Sequence, residues 1–384
     1  MLGLLSRLDR SEFEPLVVAP HKGPLNDSIA ALGIPVVVRS IAHWIATGDE
    51  VKLNHFQIGR NFLAGLKSRV WALAHQIEHN QIDVVYTNTV VSIEGALAAR
   101  LTRRPHIWHL REQVPGNSQL KSLVPSSLIP QIVGRFSDRV IVNSHYLGKA
   151  YDSNQTRNKT QVIYNGIDPA SFNLDPADSA YSLRMELGLA APSQLVVLIG
   201  SIIPRKGQML LAEAAALISS RIPSITFLFI GEGEANYISK IKAFSESKGI
   251  QKQIRFLGWR HDIPRILAAS DLLVVTSDEE PFGRTVIEAM AAGTPVVSTR
   301  CGGPEEIVID ECTGLLVPKG DADALAEAIE RIIGNTTEAA RMSAAGLARL
   351  HETFTLEAHA HHVQTTISDV VHNHPYKLHS EEQS

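Results

Sequence analysis

Two glutamates, Glu280 and Glu288, stand with seven residues between them inside the segment 277–299, SDEEPFGRTVIEAMAAGTPVVST. The apolar run 272–276 before it is short enough for a buried parallel strand. Pro281 can open a helix, since a first-turn N–H has no intrahelical partner. Residues 285–292 read as helix, Gly293 supplies the stop and Pro295 forbids continuation. Phe282, Gly283 and Arg284 therefore fall at a helix N-terminus, at the carboxyl end of a strand. Free N–H groups and the helix dipole favour an anion there, such as a diphosphate. Gly283 allows close approach to the backbone. Ionised carboxylates such as Glu280 and Glu288 only accept hydrogen bonds.

A second constellation is cationic. Arg205 and Lys206 follow the apolar run 195–200, closed by Gly200, and precede a helical stretch. The helix dipole disfavours cations at an N-terminus, so the pair makes more sense beside an anion whose oxygens it could clamp. His109 ends another strand-like run, 106–109, and the ends of parallel strands are where site residues gather.

These groups need a scaffold. Strand-like runs occupy 16–19, 35–38, 84–87, 106–109, 139–143 and 160–164, with helical stretches at 26–32, 56–79 and 93–101. The pattern repeats with strands at 195–200, 225–230, 254–257, 272–276, 295–299 and 315–317. Alternating strands and helices imply parallel sheets covered on both faces. Two such α/β units suit a ligand held at the carboxyl ends of the strands. The polar, Pro- and Asp-containing stretch 168–193 reads as a linker.

The ordered motifs carry a resemblance. VIYNGID (162–168), GSIIPRKG (200–207), FIGEGE (229–234), the stretch 256–274, the EPFG segment and GLLVPKGDADALAEAI (314–329) together resemble the family 4 glycosyltransferases, over residues 10–370. The resemblance implies the GT-B fold: two Rossmann-like domains facing a central cleft, with a C-terminal helix crossing back to the first. The expected boundaries are 1–168 for an acceptor-side domain, 169–354 for a donor domain, 355–371 for the crossover helix and 372–384 for a frayed polar tail. It further implies metal-independent, retaining transfer of a sugar from a nucleotide-diphosphate sugar, UDP- or GDP-linked, to a saccharide or lipid-linked acceptor. The expected setting is cell-surface polysaccharide or glycolipid biosynthesis.

Residue by residue, the resemblance assigns Arg205 and Lys206 to the diphosphate, Glu280 to the transferred sugar and Glu288 to the ribose. His109 would face the donor sugar. Gly200, Phe282, Gly283, Arg284 and Thr285 would join the donor site. Trp259 and Arg260 would lie beside the base, although a packed Trp is as good a reading. Asn88 and Ser144 would line the acceptor side or merely cap helices. Arg111 and Glu112 would contact acceptor or form a loop salt bridge. The resemblance also places Met1 inside the first helix, so that a first strand and glycine-rich loop would precede it. Without that strand, neighbouring edges would be left unpaired. A catalytically impaired nucleotide-sugar binding protein and a sugar-nucleotide epimerase are the alternatives.

Composition narrows the classes. The 384 residues carry a net charge of −4 and are 44% hydrophobic, a globular balance without a global case for nucleic acid. Cys301 and Cys312 are the two cysteines, too few for a disulfide framework or thiolate metal cage, and a cytoplasmic location is the expectation. His359, His361, His362, His372 and His374 lack a carboxylate or cysteine to complete a ligand set. Lys67, Arg69, Arg100, Arg103 and Arg104 could touch anionic lipid at the inner face of a membrane, or belong to ordinary amphipathic surface.

Overall fold

The structure is a computed structural model that describes residues 1–114, 117, 119–189 and 193–374. The chain divides into two units, Met1–Tyr164 with Leu356–Ser384, and Asn165–Thr355.

In the first unit, β1 (Val17–Ala19) pairs in parallel with β2 (Val36–Val38). The short β3 (Ile45–Ala46) pairs antiparallel with β6 (Lys121–Ser122). A four-stranded parallel sheet runs β4 (Val85–Thr87), β5 (His106–Leu110), β7 (Arg139–Val142) and β8 (Thr160–Val162). β1 and β4 are not joined in one sheet, and their strands are only half-buried. Instead Val18 and Val85 pack around Leu73, Ala74, Ile77 and Ala98. The opening helix Leu2–Ser6 sends Leu4 against Ile107, Ile141 and Ile163, and the same cluster takes Ala360 and Val363 from the last helix, Leu356–Asn373.

The second unit is one six-stranded parallel sheet, ordered β11 (Ile254–Gly258), β10 (Ile225–Ile230), β9 (Gln194–Ile199), β12 (Leu272–Val275), β13 (Val296–Thr299), β14 (Leu315–Val317). In chain order that is 3-2-1-4-5-6, the doubly wound arrangement, whose direction reverses between β9 and β12. β10 and β12 are aliphatic or aromatic almost throughout and wholly buried, as strands covered on both faces must be.

All twelve expected strands occur, shifted by at most two residues at an end; the two-residue β3 and β6 have no counterpart in the sequence reading. Three expectations need correction. The helix expected over 56–79 is two helices, His55–Leu63 and Leu66–His79, because Gly65 between them adopts φ +73°. The linker 168–193 contains the helix Pro176–Leu187, capped by the Asp175 carboxylate, opened by Pro176 and ended by Gly188 at φ +61°. Its Leu183 is fully buried, and the helix packs on Ile263–Ala269. Finally, Pro281 precedes the helix rather than opening it: Gly283, at φ +97°, is the N-cap of Arg284–Ala291. The expected tail falls mostly on residues 375–384, outside the described residues. Among the described residues no helix is long and apolar enough to cross a membrane.

Candidate active site

The second unit's site grows from its switch point. The loop after β9 carries Gly200 to Gly207, and the loop after β12 carries Thr276 to Gly283, so the two leave neighbouring strands at the same end. They are laced together by backbone. Asp278 N–H donates to the Arg205 carbonyl at 2.9 Å, and the Thr276 hydroxyl donates to the Lys206 carbonyl at 2.8 Å. Gly207 is at φ +67°, and a Cβ there would stand 2.0 Å from the Thr276 carbonyl oxygen. Only glycine lets the loops meet this closely.

Glu280 is pinned on both sides. Its N–H donates to the Cys301 carbonyl and its carbonyl accepts from Gly303 N–H, both at 2.8 Å. A Cβ on Gly303 would lie 2.3 Å from Phe282 Cα, so the glycine pair 302–303 is what permits this contact. The Glu280 carboxylate pairs with Lys206 Nζ, with the two side chains 16% and 23% exposed. Arg205 donates through Nη1 to the Glu279 carbonyl at 2.8 Å, while its buried Nε has no partner among the described residues. A buried donor left unpaired costs about 1–3 kcal/mol, so the guanidinium is poised for an acceptor. A cation pair, a carboxylate and the first N–H groups of Arg284–Ala291 thus stand on a frame that cannot easily shift. Such a set can hold a diphosphate and stabilise charge that develops on it.

The other residues expected at this site divide. Glu288, 13% exposed, accepts from Arg284 Nε at 2.7 Å, while Arg284 itself is 72% exposed. Thr285 is half-buried in the first helical turn. Phe282 is buried with its ring against Phe354, so it can offer a ligand its backbone but not its ring. Trp259 is 61% exposed and lies edge-on to His261, with an open face. Arg260 is committed to Asp262 and Glu186 through four hydrogen bonds, a network that raises its pKa and lowers that of Asp262 to about 2. The Gly200 carbonyl sits where a Cβ on Gly231 would be, 2.1 Å away.

In the first unit, His109 is fully buried at the end of β5. The Tyr86 hydroxyl bonds its Nδ1. Burial pushes the Tyr86 pKa up, so the phenol keeps its proton and donates, which leaves the His109 hydrogen on Nε2. That Nε2 is buried and has no partner among the described residues. Desolvation, then Arg111 and His359, holds the His109 pKa well below the usual imidazole value, so the ring is a neutral donor. His359, from the last helix, lies 5.9 Å away ring to ring and gives its own Nδ1–H to the Tyr164 carbonyl at 2.7 Å. The sequence gives no cue to the Tyr86–His109–His359 grouping, because its members are far apart in the chain.

The remaining first-unit candidates are held within the protein. Arg111 donates to Asn88 Oδ1 at 2.9 Å; Glu112 accepts from the Thr89 hydroxyl at 2.9 Å and Val90 N–H at 3.2 Å. Ser144 caps the helix His145–Ala150 by accepting Leu147 N–H. Arg69 is not available to a lipid surface, because it pairs at 2.6 Å with the fully buried Glu94. The terminal histidines do not converge: His359 is buried, whereas His361 and His362 are exposed. Among the described residues no group of three or more His, Cys, Asp or Glu could hold a metal ion.

Comparison with known proteins reads the same two halves. Residues 1–171 match the family model for Glycosyltransferase Family 4, and residues 182–349 match that for Glycosyl transferases group 1. The lipopolysaccharide core biosynthesis glycosyltransferase LpsE of Rhizobium meliloti is 35% identical over 175 residues, 46% of this chain and 50% of that protein. The match thus spans just under half of this chain and half the length of that relative. The UDP-Gal:alpha-D-GlcNAc-diphosphoundecaprenol alpha-1,3-galactosyltransferase of Escherichia coli is 26% identical over 85% of this chain and 81% of its own. Among solved structures, HepE of Anabaena in complex with UDP-glucose superposes with a TM-score of 0.79 at 28% identity, covering 96% of this chain and 95% of the other. With both halves matched and the fold shared end to end, the chain belongs to the family 4, group 1 glycosyltransferases and has the GT-B fold.

Proposed function

We propose that the protein is a retaining transferase that moves a sugar from a uridine-diphosphate sugar to a saccharide or lipid-linked acceptor, in the making of a surface polysaccharide or lipopolysaccharide. The observation that carries this is the locked frame of Arg205, Lys206 and Glu280 beside the N-terminus of Arg284–Ala291. HepE, bound to UDP and to UDP-glucose, supports a uridine donor over a guanosine one. LpsE and the diphosphoundecaprenol-linked galactosyltransferase support the acceptor class.

In this reading Arg205 and Lys206 take the diphosphate oxygens, and Glu288 takes the ribose hydroxyls. Glu280 accepts from hydroxyls of the donor sugar, and His109 Nε2–H donates to that sugar. The bond from the anomeric carbon to the diphosphate breaks. A new bond from that carbon to an acceptor hydroxyl oxygen forms on the same face, and the acceptor proton passes to a phosphate oxygen. Positioning and stabilisation of the departing diphosphate supply the rate, with no metal required. The exposed Phe56, Leu63 and Trp71, on the helices that also carry Arg60 and Lys67, support a peripheral contact with the inner face of a membrane.

Melting temperature with UDP, GDP and their sugar conjugates tests the donor. Ligand at a hundred times its Kd adds about 2.7 kcal/mol. A shift with UDP compounds alone supports the reading, and a shift with GDP compounds alone overturns its base. Nuclear magnetic resonance of the donor without acceptor separates the classes: epimerised sugar would make the protein an epimerase instead. Transfer to a lipid-linked saccharide, with the anomeric configuration of the product read in the same spectra, tests retention.

A further inference from the structure

A strongly basic cavity of about 280 Å³ opens at the opposite end of the first unit's sheet from His109. It is lined by Arg100, Arg103, Arg104, Arg135 and Lys159, with Asp138 as the one carboxylate among them. These residues cluster for a topological reason. Arg103 and Arg104 lead into β5, Asp138 into β7 and Lys159 into β8, so all face the amino ends of three neighbouring parallel strands. Arg100 and Arg135 stand in the last turns of the helices Glu94–Leu101 and Ile129–Arg135, which end there. His109 lies toward the other end of β5, roughly 10 Å away along the strand.

The ordinary account of arginines at helix ends is that they answer the dipole. Two helix C-termini contribute only about half a negative charge each, so with Asp138, and with Arg103 set aside, a surplus of about two positive charges remains among Arg100, Arg104, Arg135 and Lys159. Asp138 is moreover engaged with backbone, accepting His106 N–H at 2.8 Å. Lys159 donates to the Gly134 and Ser137 carbonyls at 2.8 and 2.7 Å, which fixes its ammonium at the cavity wall. Arg100 stacks over the Phe136 ring. Neither Arg104 nor Arg135 has a side-chain hydrogen bond or ion pair among the described residues. The His106 ring, whose two nitrogens are taken by Thr87 and the Phe136 carbonyl, is neutral and adds no charge.

The backbone carries a second, independent sign. Arg103 has φ +55°, at the helix-ending position where glycine is the usual residue, with Arg104 N–H closing onto the Ala99 carbonyl at 2.9 Å. A side chain is held there in a conformation that L-residues disfavour, and strain of this kind concentrates at ligand sites.

We propose that this cavity is a binding site for a phosphate-bearing anion, a phosphomonoester or diphosphate, separate from the donor site. Planar guanidinium forks from several directions suit the oxygens of such a group better than a single carboxylate. The anion could arrive free or as the headgroup of an anionic lipid, and both present the same oxygens.

Binding of inorganic pyrophosphate, measured by calorimetry on the full chain with Arg205→Ala and Lys206→Ala in place, removes the donor loop from the result. Flotation with phosphatidylcholine vesicles, with and without phosphatidic acid, reads the lipid source. The expected result is binding in one or both arms that weakens tenfold or more in Arg104→Gln with Arg135→Gln, and less in the corresponding lysine pair. Pyrophosphate binding identifies a free anion, and flotation with phosphatidic acid alone identifies a headgroup. Either single glutamine variant serves should the pair melt early. No binding in either arm, or binding that the glutamine variants leave unchanged, overturns the proposal.

Discussion

The two units solve the same problem with different materials. The second builds its candidate site from backbone: one uninterrupted six-stranded sheet, two loops tied by hydrogen bonds to main-chain carbonyls, and glycines where no Cβ fits. The first divides its parallel strands between a pair and a four-stranded sheet, and it buries carboxyl and imidazole side chains. Glu94, His106, His109 and Asn143 are all buried there. Backbone frames tolerate changes of side chain and of pH. Buried polar pairs are rigid when satisfied and expensive when one member changes its charge. The second unit's loop geometry is therefore robust, whereas the first unit's geometry is conditional on protonation.

Acid should expose that difference most. Burial lowers the pKa of His106 and of His359 to about 4, from an ordinary 6.5. In the window between about 4 and 6.5 the unfolded chain binds more protons at these groups than the folded one, so stability falls as pH falls through it. Each histidine accounts for up to about 3 kcal/mol by the lower end. Hydrogen exchange, corrected for its intrinsic pH dependence, should show protection lost in β5 and β7 while β12 and β13 keep theirs. Equal loss in both sheets would refute this difference between the units.

Next in size is the double variant Arg205→Ala with Lys206→Ala. Transfer should fall by about a thousandfold or more, and diphosphate binding should weaken with it. A wild-type rate would refute the clamp. His109→Ala should slow turnover by about a hundredfold while affinity for the bare nucleotide stays unchanged, since the ring sits in the other unit. Steady-state kinetics beside nucleotide calorimetry decides it, and a loss confined to nucleotide affinity would place His109 elsewhere. Smallest is Glu288→Ala, expected to weaken nucleotide binding by about tenfold with the melting temperature of the free protein little changed. Unchanged affinity would contradict the ribose role.

Much of this was written in the chain's local patterns. Most parallel strands announce themselves by a short apolar run, and PRKG and EPFG mark the loops that leave β9 and β12. The helix inside the expected linker was legible too, through Asp175, Pro176 and Gly188, but its polar surface outweighed those cues. Gly65 was a visible stop whose left-handed conformation the helical periodicity on both sides concealed.

Strand and helix periods, caps, breakers and the residue types at strand ends depend on neighbours along the chain, and so they are legible in it. The tertiary structure alone decided which of these meet. It set Lys206 against Glu280, Tyr86 against His109, Arg69 against Glu94, and five cations around one cavity. Those pairings join residues 23 to 74 positions apart. Whether such groups touch is fixed by sheet order and register, and these arise from packing of the whole unit rather than from any local run of residues.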